Sequence, residues 1–122
     1  KVAAQNLAKV RDAGIEIAMG TDAGNPLTLH GPSVYAEMEA MQAAGMTPAE
    51  VLVASTRGGA HAMGRADIGT VEKGKAADLL ILSADPSADT KNLRKIRWVV
   101  RGGVFRSIEE LHAAVAAENP LE

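Results

Sequence analysis

The chain has 122 residues, of which 47% are hydrophobic and 23% charged, with a formal net charge of −2. That length can bury one core, and the balance of charge carries no basic excess that would point to nucleic acid or an anionic membrane surface. Cysteine is absent, which excludes a disulfide framework or thiolate zinc site, and no apolar run approaches the roughly 18 residues of a spanning helix; a soluble, cytoplasmic chain with no membrane partner is expected.

Ala3, Leu7 and Val10 recur at helical spacing, and Gly14 follows where a residue with positive φ ends a helix. Ile15-Glu16-Ile17-Ala18-Met19-Gly20 is a short apolar run broken only by Glu16, the pattern of a strand buried on both faces. It gives way at Thr21-Asp22-Ala23-Gly24 to a loop that ends in Leu29-His30-Gly31. Val34, Met38 and Met41 make the next apolar stripe, with Glu37 and Glu39 on other faces, and Gly45 closes it. Thr47-Pro48-Ala49-Glu50 predicts a helix start: Thr caps, Pro gives up an N–H already unpaired, and Glu50 reaches back to the cap. Gly58-Gly59 is expected to interrupt that helix, leaving Ala60 to Met63 as a short turn stopped by Gly64.

After Gly64 the period changes. Strands are predicted over residues 69–72, 78–82, 96–100 and 104–106, separated by Gly, Pro, Asp and Asn. Ile96, Trp98 and Val100 alternate with Arg97 and Val99, so Trp98 is expected to be buried, and Arg101-Gly102-Gly103-Val104 fits a tight hairpin. Ser107-Ile108-Glu109-Glu110 caps a terminal helix with Ile108, Leu111 and Val115 on one side. Met38, Met41, Met46 and Met63 are expected to be core filler.

Asp22 is the residue on which a chemical reading turns. An acid at the carboxyl end of a buried strand is where α/β barrels place chemistry, held rigidly by the strand while the loop admits substrate. Thr-Asp followed by Gly is also ordinary turn chemistry, with side-chain oxygens satisfying loose backbone N–H groups. The local pattern leaves both readings open. His30 reads as a loop histidine bonded to backbone, His61 as a packed or half-exposed helix residue, and His112 as a surface group. Glu37 suits a solvated face or a salt bridge, and Arg57 suits the dipole of a helix end. Gly69-Thr70-Val71-Glu72-Lys73-Gly74 has neither phosphate-loop spacing nor a following helix.

Five blocks in register carry a further signal: Gly20-Thr21-Asp22-Ala23-Gly24, then Leu29-His30-Gly31 with Glu37, then Ala44 to Leu52, then Ala54 to Ala60, then Gly69 to Leu79. Over about residues 1–106 the chain resembles the carboxyl-terminal part of the amidohydrolase superfamily, close to its imidazolonepropionase-related and prolidase-like branch. The resemblance implies an α/β fold, the end of a metal-dependent hydrolase TIM (β/α)8 barrel plus part of a small β-sandwich domain built from both chain ends. Residues 1–64 would be the last part of the barrel: the seventh helix over 1–13, the eighth strand over 15–20, and the following helices over 33–64. Residues 65–106 would be the small β domain's carboxyl-terminal share, and 107–122 a terminal helix, with Leu121-Glu122 a possible cloning scar.

The same resemblance implies a divalent metal, zinc first, as one or two ions in the complete enzyme. Asp22 would be metal ligand and proton acceptor for a metal-activated water attacking amide, amidine or dipeptide C–N bonds, and His30 would touch a small-molecule or dipeptide substrate. The remaining family ligands, a His-X-His pair, a lysine or acid and two further histidines, would all precede Lys1. A complete barrel needs about 250 residues, so the chain is expected to be a fragment, inactive alone and homo-oligomeric; the alternative is a non-catalytic α+β piece.

Overall fold

The computed structural model describes residues 2–118, so Leu121-Glu122 lies outside the described residues. Helix α1 spans Val2–Asp12, α2 Pro32–Ala43 and α3 Pro48–Val53; a π turn, Ala54–Gly58, leads into α4, Gly59–Ala62. Three antiparallel strands follow, β1 Leu79–Leu82, β2 Ile96–Arg101 and β3 Val104–Ser107, ordered β1-β2-β3, and α5 spans Ile108–Glu118. The chain is a small mixed α/β structure.

Three helix ends share one device. The N–H of Gly14 donates to the Arg11 carbonyl and that of Ile15 to Val10; Gly45 and Met46 donate likewise to Gln42 and Met41, and Gly64 and Arg65 to His61 and Ala60, all at 2.9–3.2 Å. In each case the glycine takes positive φ, and the paired bonds satisfy carbonyls that a helix end leaves free. At the second of these ends Met41 and Met46, both buried, bracket the turn. Helix α3 opens on the expected capping box: Glu50 N–H donates to Thr47 Oγ1 at 3.2 Å and Thr47 N–H to Glu50 Oε2 at 2.7 Å. The Thr47 N–H, together with the Thr47 hydroxyl that donates to the same Oε2 at 3.0 Å, holds the Glu50 carboxyl below its ordinary pKa.

Gly58-Gly59 does not interrupt the helix. Both glycines keep right-handed helical angles, and the chain runs through them from the π turn into α4. Their use is steric: a Cβ on Gly58 would overlap the Ile17 carbonyl oxygen. Residues 15–20, expected as a strand buried on both faces, have no ladder partner among the described residues, and Ile15 is 59% exposed. With no neighbouring strand to pair with, the segment lies along the π turn and α4.

The core is Met38, Met41, Met46, Val51, Ala54 and Leu93, flanked by Leu7, Ile17, Met19 and Tyr35. Met63, expected among the core methionines, is exposed because it follows the last residue of α4. Thr90, buried in the 3₁₀ turn Thr90–Arg94, is satisfied by Gln42 Oε1, which accepts from its N–H at 2.9 Å and its hydroxyl at 2.6 Å. Nearby, Arg94 pairs with Glu39 at 2.8 Å and lies 4.7 Å from the centre of the Tyr35 ring, so this turn is fastened to α2.

The glycine hairpin joins β2 to β3 with positive φ at Gly102 and Gly103, as the strand twist requires. Residues 69–72 do not form the expected strand: 69 and 70 are bends, and 71 and 72 have no regular structure. Gly69 is pressed onto the π turn and α4, where a Cβ would stand 2.7 Å from that of Ala60 and 3.0 Å from the Thr56 oxygen. That close approach replaces a ladder. Trp98 is not buried as expected: it is 39% exposed beside its cross-strand neighbour Ile81, also exposed, so the described residues leave part of its ring uncovered. Val100, two residues on, is buried. Helix α5 has its predicted cap, with Glu110 N–H donating to Ser107 Oγ at 3.1 Å and Ser107 N–H to Glu110 Oε2 at 2.7 Å. Ile108 and Leu111 are half-buried, whereas Val115 is exposed.

Arg65 and Asp67 form two parallel bonds, Nε to Oδ1 and Nη2 to Oδ2, each at 2.6 Å. The guanidinium bonds hold the Asp67 carboxyl down at about 2. A carboxyl with a lowered folded value stabilises the fold above the ordinary carboxylate range, and that contribution disappears as pH falls through the folded value. Arg65→Ala is expected to return the Asp67 midpoint toward about 4, read by carboxyl carbon resonances against pH; an unmoved midpoint would show that the pair does not set it.

Candidate active site

Asp22 stands where residues 15–20 give way to the loop, and three contacts with the helical segment beside it fix its approach. The Met19 N–H donates to the carbonyl of Ala54, the first residue of the π turn, at 3.1 Å. Ile17 backbone lies directly on Gly58. The Glu16 carboxylate meets His61 Nδ1 of α4 in an exposed side-chain contact. Residues 16, 17 and 19 thus meet 61, 58 and 54 in turn, so the segment runs antiparallel to the helical path and delivers Asp22 at its end.

The loop itself is tightly closed. Asp22 has φ +50°, a left-handed conformation that aspartate tolerates better than most residues. Its carboxylate is exposed, and Oδ2 accepts from Asn25 Nδ2 at 2.6 Å while the same amide donates to the Asp22 carbonyl at 3.0 Å. Gly24 N–H donates to the Thr28 carbonyl at 3.1 Å and Thr28 N–H to the Asn25 carbonyl at 3.0 Å. His30 follows, exposed in the turn before α2, with its Nε2 3.7 Å from where a Gly24 Cβ would stand. The structure therefore brings Asp22 and His30 to one loop, and places His61 behind it on the supporting helix.

Among the described residues no three His, Cys, Asp or Glu side chains converge on a point where a metal ion would sit. Asp22 by itself is a suitable oxygen ligand, since one carboxylate oxygen is held by an amide donor and the other has no hydrogen-bond partner among the described residues. A metal held here would need its other ligands from outside this constellation. A separate groove of about 690 Å³ lies between the π turn and the sheet, lined by Leu52, Thr56, Leu79, Leu82, Leu93 and Val100. Neither Asp22 nor His30 lines it.

Neither the role of Asn25 nor the Glu16–His61 pair is apparent from the sequence. Asn25-Pro26 is a recognisable turn signal that would have marked the first. The second joins residues 45 apart, which spacing alone does not reveal.

Comparison with known proteins gives one consistent answer. The profile of the Amidohydrolase family matches residues 2–105. An imidazolonepropionase from Salinispora tropica is 38% identical over 101 residues, covering 79% of this chain and 25% of that protein. Another, from Shouchella clausii, is 47% identical over 75 residues, covering 60% of this chain and 17% of its own length. Among solved structures, a molinate hydrolase superposes with a TM-score of 0.80 at 28% identity, covering 99% of this chain and 28% of that one. A Xaa-Pro dipeptidase with bound methionine in its active site gives 0.75 at 28% identity, covering 85% and 25%. The chain thus spans a quarter or less of the curated relatives described here. No helix among the described residues is long and apolar enough to cross a membrane.

Proposed function

The chain belongs to the amidohydrolase family, and on that premise we propose that it is the carboxyl-terminal part of a metal-dependent hydrolase of amide, amidine or dipeptide C–N bonds. Residues 1–64 are then the last part of a (β/α)8 barrel and residues 65–106 the share of a small β domain. The observation that carries the reading is Asp22: an exposed carboxylate at the end of a segment clamped to a helix, with one oxygen held and the other available.

In the complete enzyme Asp22 would be one ligand of a divalent metal, zinc first, alongside ligands contributed by the rest of the protein. When bound, such an ion makes a coordinated water acidic enough to ionise near neutral pH. Asp22 would be placed to accept the proton that such a water gives up, with Asn25 holding one of its carboxylate oxygens. His30, on the same loop, contacts the substrate. The names of the relatives fit this chemistry: imidazolonepropionase and Xaa-Pro dipeptidase are matched, and so is a phenylurea hydrolase B, with a TM-score of 0.78 at 30% identity. The 122-residue chain alone is inactive on this reading, as it supplies one ligand of several.

Metal removal tests it. The complete enzyme, assayed on a cyclic amidine, a dipeptide and a phenylurea, is expected to lose hydrolysis on chelation and recover it with added zinc. Activity that survives complete removal of metal, or a metal-loaded enzyme that cleaves no C–N bond, would overturn the proposal.

A further inference from the structure

Asn25 is the one residue in the described structure whose side chain grips the Asp22 carboxylate. Its amide nitrogen has two protons and uses them on two acceptors of the same residue, Oδ2 at 2.6 Å and the main-chain carbonyl at 3.0 Å. A bond to the carbonyl alone would close the turn. The second bond fixes the torsion of the carboxylate relative to its own backbone, and so selects which oxygen faces outward.

Asn25 is itself rooted on both sides. Pro26 follows it, which restricts the Asn25 backbone toward extended conformations. Its carbonyl accepts the Thr28 N–H at 3.0 Å, and the neighbouring Gly24 N–H closes onto Thr28 at 3.1 Å. These two bonds close the main chain around Asn25, from which its amide reaches Asp22. An exposed carboxylate without such a partner would sample several rotamers.

Resting on the reading of Asp22 given above, we propose that Asn25 is a positioning residue: it holds Oδ2 so that Oδ1 of Asp22 is presented to the metal and its water. An outer partner of a ligating carboxylate typically carries a 10–100-fold effect on metal affinity or activity, roughly the scale expected here. Asn25→Asp keeps the size of the side chain and replaces the donor by a second carboxylate, so it should be at least as harmful as Asn25→Ala.

In the complete enzyme, Asn25→Ala is expected to lower kcat by about 10–100-fold with KM changed by less than about threefold, and to weaken zinc binding to the apoenzyme, measured by competition with a chromophoric chelator, by about tenfold or more. The thermal midpoint should stay within a few degrees of the parent. If Asn25→Ala unfolds the loop and lowers the midpoint, Asn25→Asp decides, because it must show the same loss of zinc affinity at a parental midpoint. Parental zinc affinity and kcat in either folded variant would overturn the inference. Asp22→Asn separates the two levels: should it retain activity and affinity, the reading of Asp22 fails first; should it lose both while the Asn25 variants lose neither, only the role of Asn25 fails.

Discussion

Asp22→Asn in the complete enzyme is expected to lower kcat about a thousandfold, the middle of the range that loss of a positioned proton acceptor commands. The amide is nearly the same size, but it cannot accept the proton of an attacking water as a carboxylate does, and it is a poorer metal ligand. The backbone gives no other reason for a loss. Asparagine adopts positive φ as readily as aspartate, so the +50° conformation survives. Its carbonyl oxygen still accepts from Asn25, and the exposed site leaves no buried charge behind. Thermal unfolding should therefore be parental. Turnover within a few-fold of the parent at unchanged metal content would remove Asp22 from the chemistry.

Gly58→Ala is expected to destabilise the chain by about 2–3 kcal/mol, the cost of forcing an extra carbon into a packed contact. At an exposed helical position the same change would stabilise by up to about 1 kcal/mol, since alanine loses less backbone freedom than glycine on folding. Here the new Cβ would overlap the Ile17 carbonyl oxygen, which is backbone and has no rotamer into which to retreat. Gly59→Ala is the control: its Cβ would meet only the Ala54 oxygen, at 4.0 Å, with an ordinary helical φ. Urea unfolding of the two variants should move the midpoint in opposite directions. Equal effects, or a Gly58→Ala chain as stable as the parent, would show that residues 15–20 do not rest on the helix as described.

Local rules made much of this architecture legible. The capping boxes at Thr47 and Ser107, the glycine ends at Gly14, Gly45 and Gly64 and the Gly102-Gly103 hairpin are short-range chemistry, and each is decided by residues within a few positions. Expectation and structure part where distant chain decides. Gly58-Gly59 looks like a breaker until Ile17 is known to lie against it, and Gly69 looks like the start of a strand until Ala60 is found beneath it. Trp98 sits on a properly alternating strand, yet alternation says which face a residue takes and not whether anything covers that face. The same holds at the site: Asp22 stood out through its place at the end of an apolar run, whereas the partner that orients it, Asn25, is one of many polar loop residues until its amide is seen to reach the carboxylate.

The π turn at Ala54–Gly58 fits one more residue into a turn than an α-helix does. That surplus is taken up within the turn, so the helix resumes beyond it in the phase that Val51 and the core set. Losing any one of Ser55, Thr56 or Arg57 would let the turn relax to α geometry and leave Gly58, Ala60 and His61 close to their present face. Each helical residue advances about 100° around the axis, so losing Gly59 or Ala60, beyond the surplus, would instead swing His61 away from Glu16. Chain length is thus tolerant at the π turn and a constraint just past it.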